Sequence, residues 1–186
     1  MNPVIRLCLA GAGAVAALAG PALHAQDEIP VPTEPPLAVT EMPPPEVVKG
    51  YLQLGFDRLS GYEFILKNRP ATGKPPQALI NAAIPEVVRS WSGKKADLTG
   101  YMVPTKMDKG LVVEFLMVRD MNSCCYGVSP ALNHFVLVRM AKGVAPVFER
   151  VVKVSGTFKV NTTFDDHGYM VALYEVTGEK VVATGD

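Results

Sequence analysis

"RVVKVSGTFKV", Arg150–Val160, alternates apolar and polar residues with a period of two. Val152, Val154, Gly156, Phe158 and Val160 fall on one side, and Lys153, Ser155, Thr157 and Lys159 on the other. Successive side chains of a strand point to opposite faces, so the pattern is a strand with one face in a core and one in water. Gly156 sits on the core side. A glycine inside a strand marks a tight bend or the close approach of another backbone. Strands of this kind build small barrels.

Four further runs read the same way. "YMVALYEVTG" follows after the turn "NTTFDDHG". Upstream lie "HFVLVRMA", "LVVEFLMVRD" and "ADLTGYMVPTKM", the last two joined by "DKG" as a hairpin. The earliest strand also carries an internal glycine, Gly100, and its Pro104 predicts an edge or a bend. Five short strands in sequence, two with internal glycines, predict a mainly β fold over residues 96–182. Its expected form is a small five-stranded, OB-like Greek-key barrel, with a sandwich as the alternative.

A short N-terminal helical and extended segment, residues 49–95, precedes the barrel. "GYLQLGFDRLSGYEFILKN" reads as one or two strands joined by a turn near Ser60-Gly61. "RPATGKPP" is a loop, and "QALINAAIPEVVRSW" has helical composition interrupted by Pro85. Proline suits a first helical position, so "PEVVRSW" is a separate short helix ended by Gly93, with Val87, Val88 and Trp91 as its buried stripe.

Residues 1–25 have the layout of a secretory signal: Arg6, an apolar run Leu7–Ala19, the breakers Gly20 and Pro21, and small residues up to Ala25. The run is shorter than the roughly 20 residues of a membrane span. Cleavage is expected after Ala25, with Ala22 as the alternative, which leaves a periplasmic or secreted chain that is not an integral membrane protein. Residues 26–48 are proline-dense and without apolar period, as in a semi-rigid tether.

The chain of 186 residues holds 18 basic and 18 acidic residues. A zero balance disfavours nucleic acid, which needs a basic face. No phosphate loop, dinucleotide fingerprint or nucleophile elbow occurs. Enzymatic activity is therefore left open and disfavoured. The Asp165-Asp166-His167 turn is acid-rich, which is ordinary for a solvated turn.

The pointed feature is the loop "MNSCCYGVSPALN". Loss of the signal removes Cys8 and leaves Cys124 and Cys125, adjacent in sequence. Neighbouring Cα atoms lie about 3.8 Å apart, against roughly 4.4–6.8 Å in ordinary disulfides. A bridge between them would be strained and easily reduced. Thiolates and thioethers select soft metals, so Cys124, Cys125, Met121 and His134 are the candidate ligands for copper or zinc. Gly127, Pro130 and Asn133 shape the loop. Met117 and Met140 lie on the flanking strands, where methionines are more often core. Buried packing of the two cysteines is the plain alternative, and thiol redox chemistry a further one. Only Arg119 stands near in sequence to supply the positive neighbour that a reactive thiolate wants.

"GKKADLTGYMVPTKMDKGLVVEFLMVRDMNSCCYGVSPALNHFVLVRM" resembles a family of exported bacterial proteins known as the domain of unknown function DUF3299. The resemblance rests on Gly100–Pro104, Glu114–Leu116, Ser123–Gly127 and Asn133, and extends to "VSGTF" and "GYMVALY". It implies an exported, compact, OB-like β domain and carries over no catalytic residue. The function expected is a periplasmic binding or accessory module handling a soft metal, with an envelope protein or transport system as partner. The alternatives are a thiol redox sensor and a structural interaction domain of the envelope.

Overall fold

The structure, a computed structural model, describes residues 39–67, 73–121 and 131–184. The alternation at Val152–Phe158 is that of a long strand, β6, Val151–Phe164. Val152, Val154 and Phe158 are buried, while Lys153, Ser155 and Thr157 are partly exposed. Four other strands complete the barrel: β3 Lys95–Asp108, β4 Leu111–Val118, β5 Phe135–Val144 and β7 Met170–Ala183. Ahead of them come β1 Val47–Val48, β2 Tyr51–Leu54, α1 Phe56–Leu59, α2 Gln77–Ala82 and α3 Glu86–Arg89.

The pairing closes on itself. β3 pairs with β4 and β4 with β5, both antiparallel. β5 pairs with β7 in parallel, β7 with β6 antiparallel, and β6 returns antiparallel to β3. The last strand is thus inserted between the third and fourth barrel strands, the Greek-key closure of an OB-like barrel. Closure removes the free edges that an open sheet exposes.

The glycines sit where backbones come closest. A Cβ on Gly156 would stand 2.3 Å from the Thr177 carbonyl oxygen, and one on Gly100 2.6 Å from that of Val118. The β3–β4 turn is the two-residue Lys109-Gly110, both at positive φ, as in the type I′ hairpins that match strand twist. Pro104 lies past Tyr101, where the β6 pairing ends, and next to a register shift against β4. Its missing N–H therefore costs no ladder bond on the β6 side.

The extension shares the barrel's core. Phe56, Leu59, Ile80, Ile84, Val88 and Trp91 form one apolar cluster with Phe115, Met117, Phe158 and Tyr174. Each such side chain contributes on the order of 1.5–3 kcal/mol by leaving water. Trp91 is core packing, as its helix stripe predicts. β2 runs parallel to β3, with Leu52 opposite Ala96.

Two expectations are corrected here. The stretch before Ser60-Gly61 is the helical turn α1, where a strand was expected. Phe56 and Leu59 are three residues apart and face the core together. The Ser60 hydroxyl donates to the Phe56 carbonyl and closes the turn. Pro85 stands one place earlier than expected, as the N-cap of α3. Among the described residues, no helix is long and apolar enough to cross a membrane.

Candidate functional site

β4 ends at Val118, which pairs with Phe135, the first residue of β5. Residues 119–134 therefore leave and re-enter the barrel at one point on its rim. The return is a 3-10 turn, Leu132–His134, in which the His134 N–H donates to the Ala131 carbonyl at 2.9 Å. His134 is exposed, and Met121 on the outgoing side is 43% exposed. The rim thus brings these two predicted ligands to the two ends of one loop. Cys124, Cys125, Gly127 and Pro130 lie outside the described residues. Met117 and Met140 are buried in the core, so they do not extend the ligand set.

Asn133 holds the return in place. It is fully buried, and its Nδ2 donates to the Tyr62 carbonyl at 2.8 Å. Among the described residues, its buried Oδ1 has no hydrogen-bond partner. Next to it runs a chain of tyrosines. The Tyr174 hydroxyl donates to the Leu59 carbonyl at 2.9 Å and lies 2.6 Å from the Tyr62 hydroxyl. A hydroxyl has one proton, so with Tyr174 committed to Leu59, Tyr62 donates to Tyr174. Burial pushes the Tyr62 hydroxyl up to about 12. Burial raises Tyr174 further still, with the neighbouring Tyr62 adding to it. These neutral groups fasten the extension to the barrel beside the Leu132–His134 turn. Two tyrosines within apolar runs are the one sign of them in the sequence.

A second polar feature crosses the outer face of the barrel. Arg139 on β5 donates through Nε to Glu114 of β4 at 3.0 Å, and through Nη1 to Glu175 of β7 at 2.5 Å. Asn161 of β6 donates to the same Glu175 oxygen at 3.1 Å, and Thr105 of β3 to Glu114 at 3.1 Å. Its signal was available: Glu114, Arg139 and Glu175 each interrupt an apolar run at an outward position.

Beside this row the outer face of β3, β4 and β5 is apolar. Tyr101 pairs with Val118, Val103 with Leu116, Val118 with Phe135 and Leu116 with Leu137. Their neighbours Met102, Phe115, Met117, Val136 and Val138 are buried on the inner face. Val103 is 37% exposed, Tyr101, Leu116, Val118 and Phe135 are half-buried, and Leu137 is buried.

The acid-rich turn resolves as a backbone-binding turn. Asp165 Oδ1 accepts from the His167 and Tyr169 amides at 3.0 and 2.8 Å. Among the described residues, no group of three or more His, Cys, Asp or Glu side chains could hold a metal ion. A soft-metal site on this rim would need the cysteines themselves.

The closed strand order defines an OB-type barrel protein. The chain belongs to the family described as Protein of unknown function (DUF3299), whose model matches residues 60–183. It is similar to a DUF3299 family protein from Pseudomonas aeruginosa PAO1 known from a crystal structure. The two are 29% identical with a TM-score of 0.50, over 73% of this chain and 97% of that one. No curated protein matches the chain.

Proposed function

We propose that this chain is an exported, periplasmic or secreted binding module that holds a soft metal, copper or zinc, at the β4–β5 rim. The observation that carries this reading is the pinning of both ends of the 119–134 connection. Val118 pairs with Phe135, and Asn133 is bonded to the extension, so Met121 and His134 flank the loop that contains Cys124 and Cys125. Barrels of this type bind through inter-strand loops held on a rigid frame. Two thiolates with a thioether and an imidazole suit Cu(I), and thiolates with an imidazole suit Zn(II). Export supplies the setting, with residues 1–25 as the signal and residues 26–48 as the tether.

Metal content of the chain purified from the periplasm, under reducing and non-reducing conditions, tests the reading. One copper or zinc per chain under reducing conditions supports it. A metal-free chain whose thiols switch reversibly with the redox buffer supports thiol sensing in its place. Recovery of uncleaved Met1 chain from the cytoplasm overturns the exported part.

A second reading has its own observation. The apolar outer face around Tyr101, Val103, Leu116 and Phe135 suits a protein-interaction domain of the envelope, partnered with another envelope protein or a transport system.

A further inference from the structure

Residues Tyr62–Lys67 run past α2 outside any sheet. Tyr62, Phe64 and Leu66 pack against the core, while Glu63, Ile65 and Lys67 are exposed. This is the period-two alternation of an extended strand. Ile65 is 51% exposed. Among the described residues, nothing hydrogen-bonds the backbone of Glu63, Phe64, Ile65, Leu66 or Lys67. The Tyr62 carbonyl is taken by Asn133 on the barrel side. Adjacent residues of an extended chain turn their peptide groups to opposite edges, so those of Glu63 and Ile65 face away from the barrel, and Lys67 stands in the turn that ends the segment. Beside this edge a groove of about 400 Å³ is lined by Glu63, Ile65 and Lys67 and by Leu79, Ala82 and Ala83.

The edge reads acid, aliphatic, base at every second position. Its antiparallel complement is the same pattern. We propose that two copies of this chain pair antiparallel through this edge, about a two-fold axis at Ile65. Glu63 of each copy then stands opposite Lys67 of the other, and the two Ile65 side chains meet between the α2 faces. Cross-strand pairs of opposite charge and of aliphatics are the favourable units of such a ladder. The symmetry is isologous, the commonest in homodimers. A segment this short buries less than the roughly 1,200 Å² of a stable complex, so association is weak and depends on concentration. One competitor exists within the chain: the Val39 amide donates to the Gly61 carbonyl at 3.1 Å, one residue before the segment begins.

Sedimentation equilibrium of the full purified chain over a concentration series tests the pairing. The expected result is a monomer–dimer equilibrium. Glu63→Lys puts two lysines on the edge, and Lys67→Glu puts two glutamates there. Each single variant weakens the dimer by about tenfold or more, because like charges then face each other twice. Mixing the two single variants restores association, and so does the double swap. All these positions are exposed, so unchanged circular dichroism is expected throughout. A chain that stays monomeric at every concentration overturns the proposal. A dimer indifferent to the single variants also overturns it. So does one that they weaken but mixing does not restore.

Discussion

Removing the Tyr174 hydroxyl should cost more than removing that of Tyr62, although the two touch. The hydroxyls form a directed chain, Tyr62 to Tyr174 to the Leu59 carbonyl, with steps of 2.6 and 2.9 Å. Tyr62→Phe removes only the outer step. Tyr174 keeps its own proton on Leu59, so the loss is one ordinary hydrogen bond, about 1 kcal/mol. Tyr174→Phe removes both steps and leaves the buried Leu59 carbonyl without that donor. An orphaned buried acceptor costs about 1–3 kcal/mol beyond the bond, so the total is about 2–4 kcal/mol. Once Tyr174 is phenylalanine, the Tyr62 hydroxyl has no partner to lose. The double variant should therefore match Tyr174→Phe, with a coupling of about 1 kcal/mol. Urea denaturation of the four proteins reads these values directly. Equal single costs, or strict additivity in the double variant, would refute the directed chain.

Three further outcomes follow from the same structure. Phe158→Ala empties a fully buried ring site 5.5 Å from the Tyr174 ring and should destabilise by about 3–5 kcal/mol in denaturant titration, whereas a cost under about 1 kcal/mol contradicts its core position. Gly110→Val forces a β-branched residue to φ +81 in the β3–β4 turn, and should lower stability by about 1–3 kcal/mol without changing the far-ultraviolet spectrum; no loss refutes the type I′ turn. Tyr62 is raised from 10.0 to about 12, so its contribution is complete below pH 10 and fades toward pH 12 as the unfolded chain ionises first; stability should fall more steeply there in wild type than in Tyr62→Phe, and identical slopes contradict the burial.

What the sequence disclosed, and what it hid, follows the length scale of each signal. Strands such as Val151–Phe164 bury every second residue over several repeats, so the period is plain. Gly100 and Gly156 were legible because a missing side chain at a core position has few causes, and both prove to sit against a neighbouring strand's carbonyl. α1 was misread because a four-residue helix between Gly55 and Gly61 is too short to display a helical period. The β1–β2 hairpin was hidden for a similar reason, being a two-residue strand closed by Lys49-Gly50 at positive φ. At the rim, the tether of Asn133 at Tyr62 is 71 residues away in sequence, and no local pattern announces it. The Glu114–Arg139–Glu175 row shows in the sequence only as single charges within apolar runs, and their pairing depends on strand neighbours distant in sequence.

The proposal of a soft-metal rim is tested most directly by titrating the reduced full chain with Cu(I) and with Zn(II) against a competing chelator, in parallel with the Cys124→Ser, Cys125→Ser double variant. The account predicts one metal per wild-type chain at micromolar concentration. It predicts no binding in the variant, whose urea midpoint stays near that of wild type. Reduced wild type that binds neither metal contradicts the account. So does a variant that loses stability because the two cysteines are packing groups.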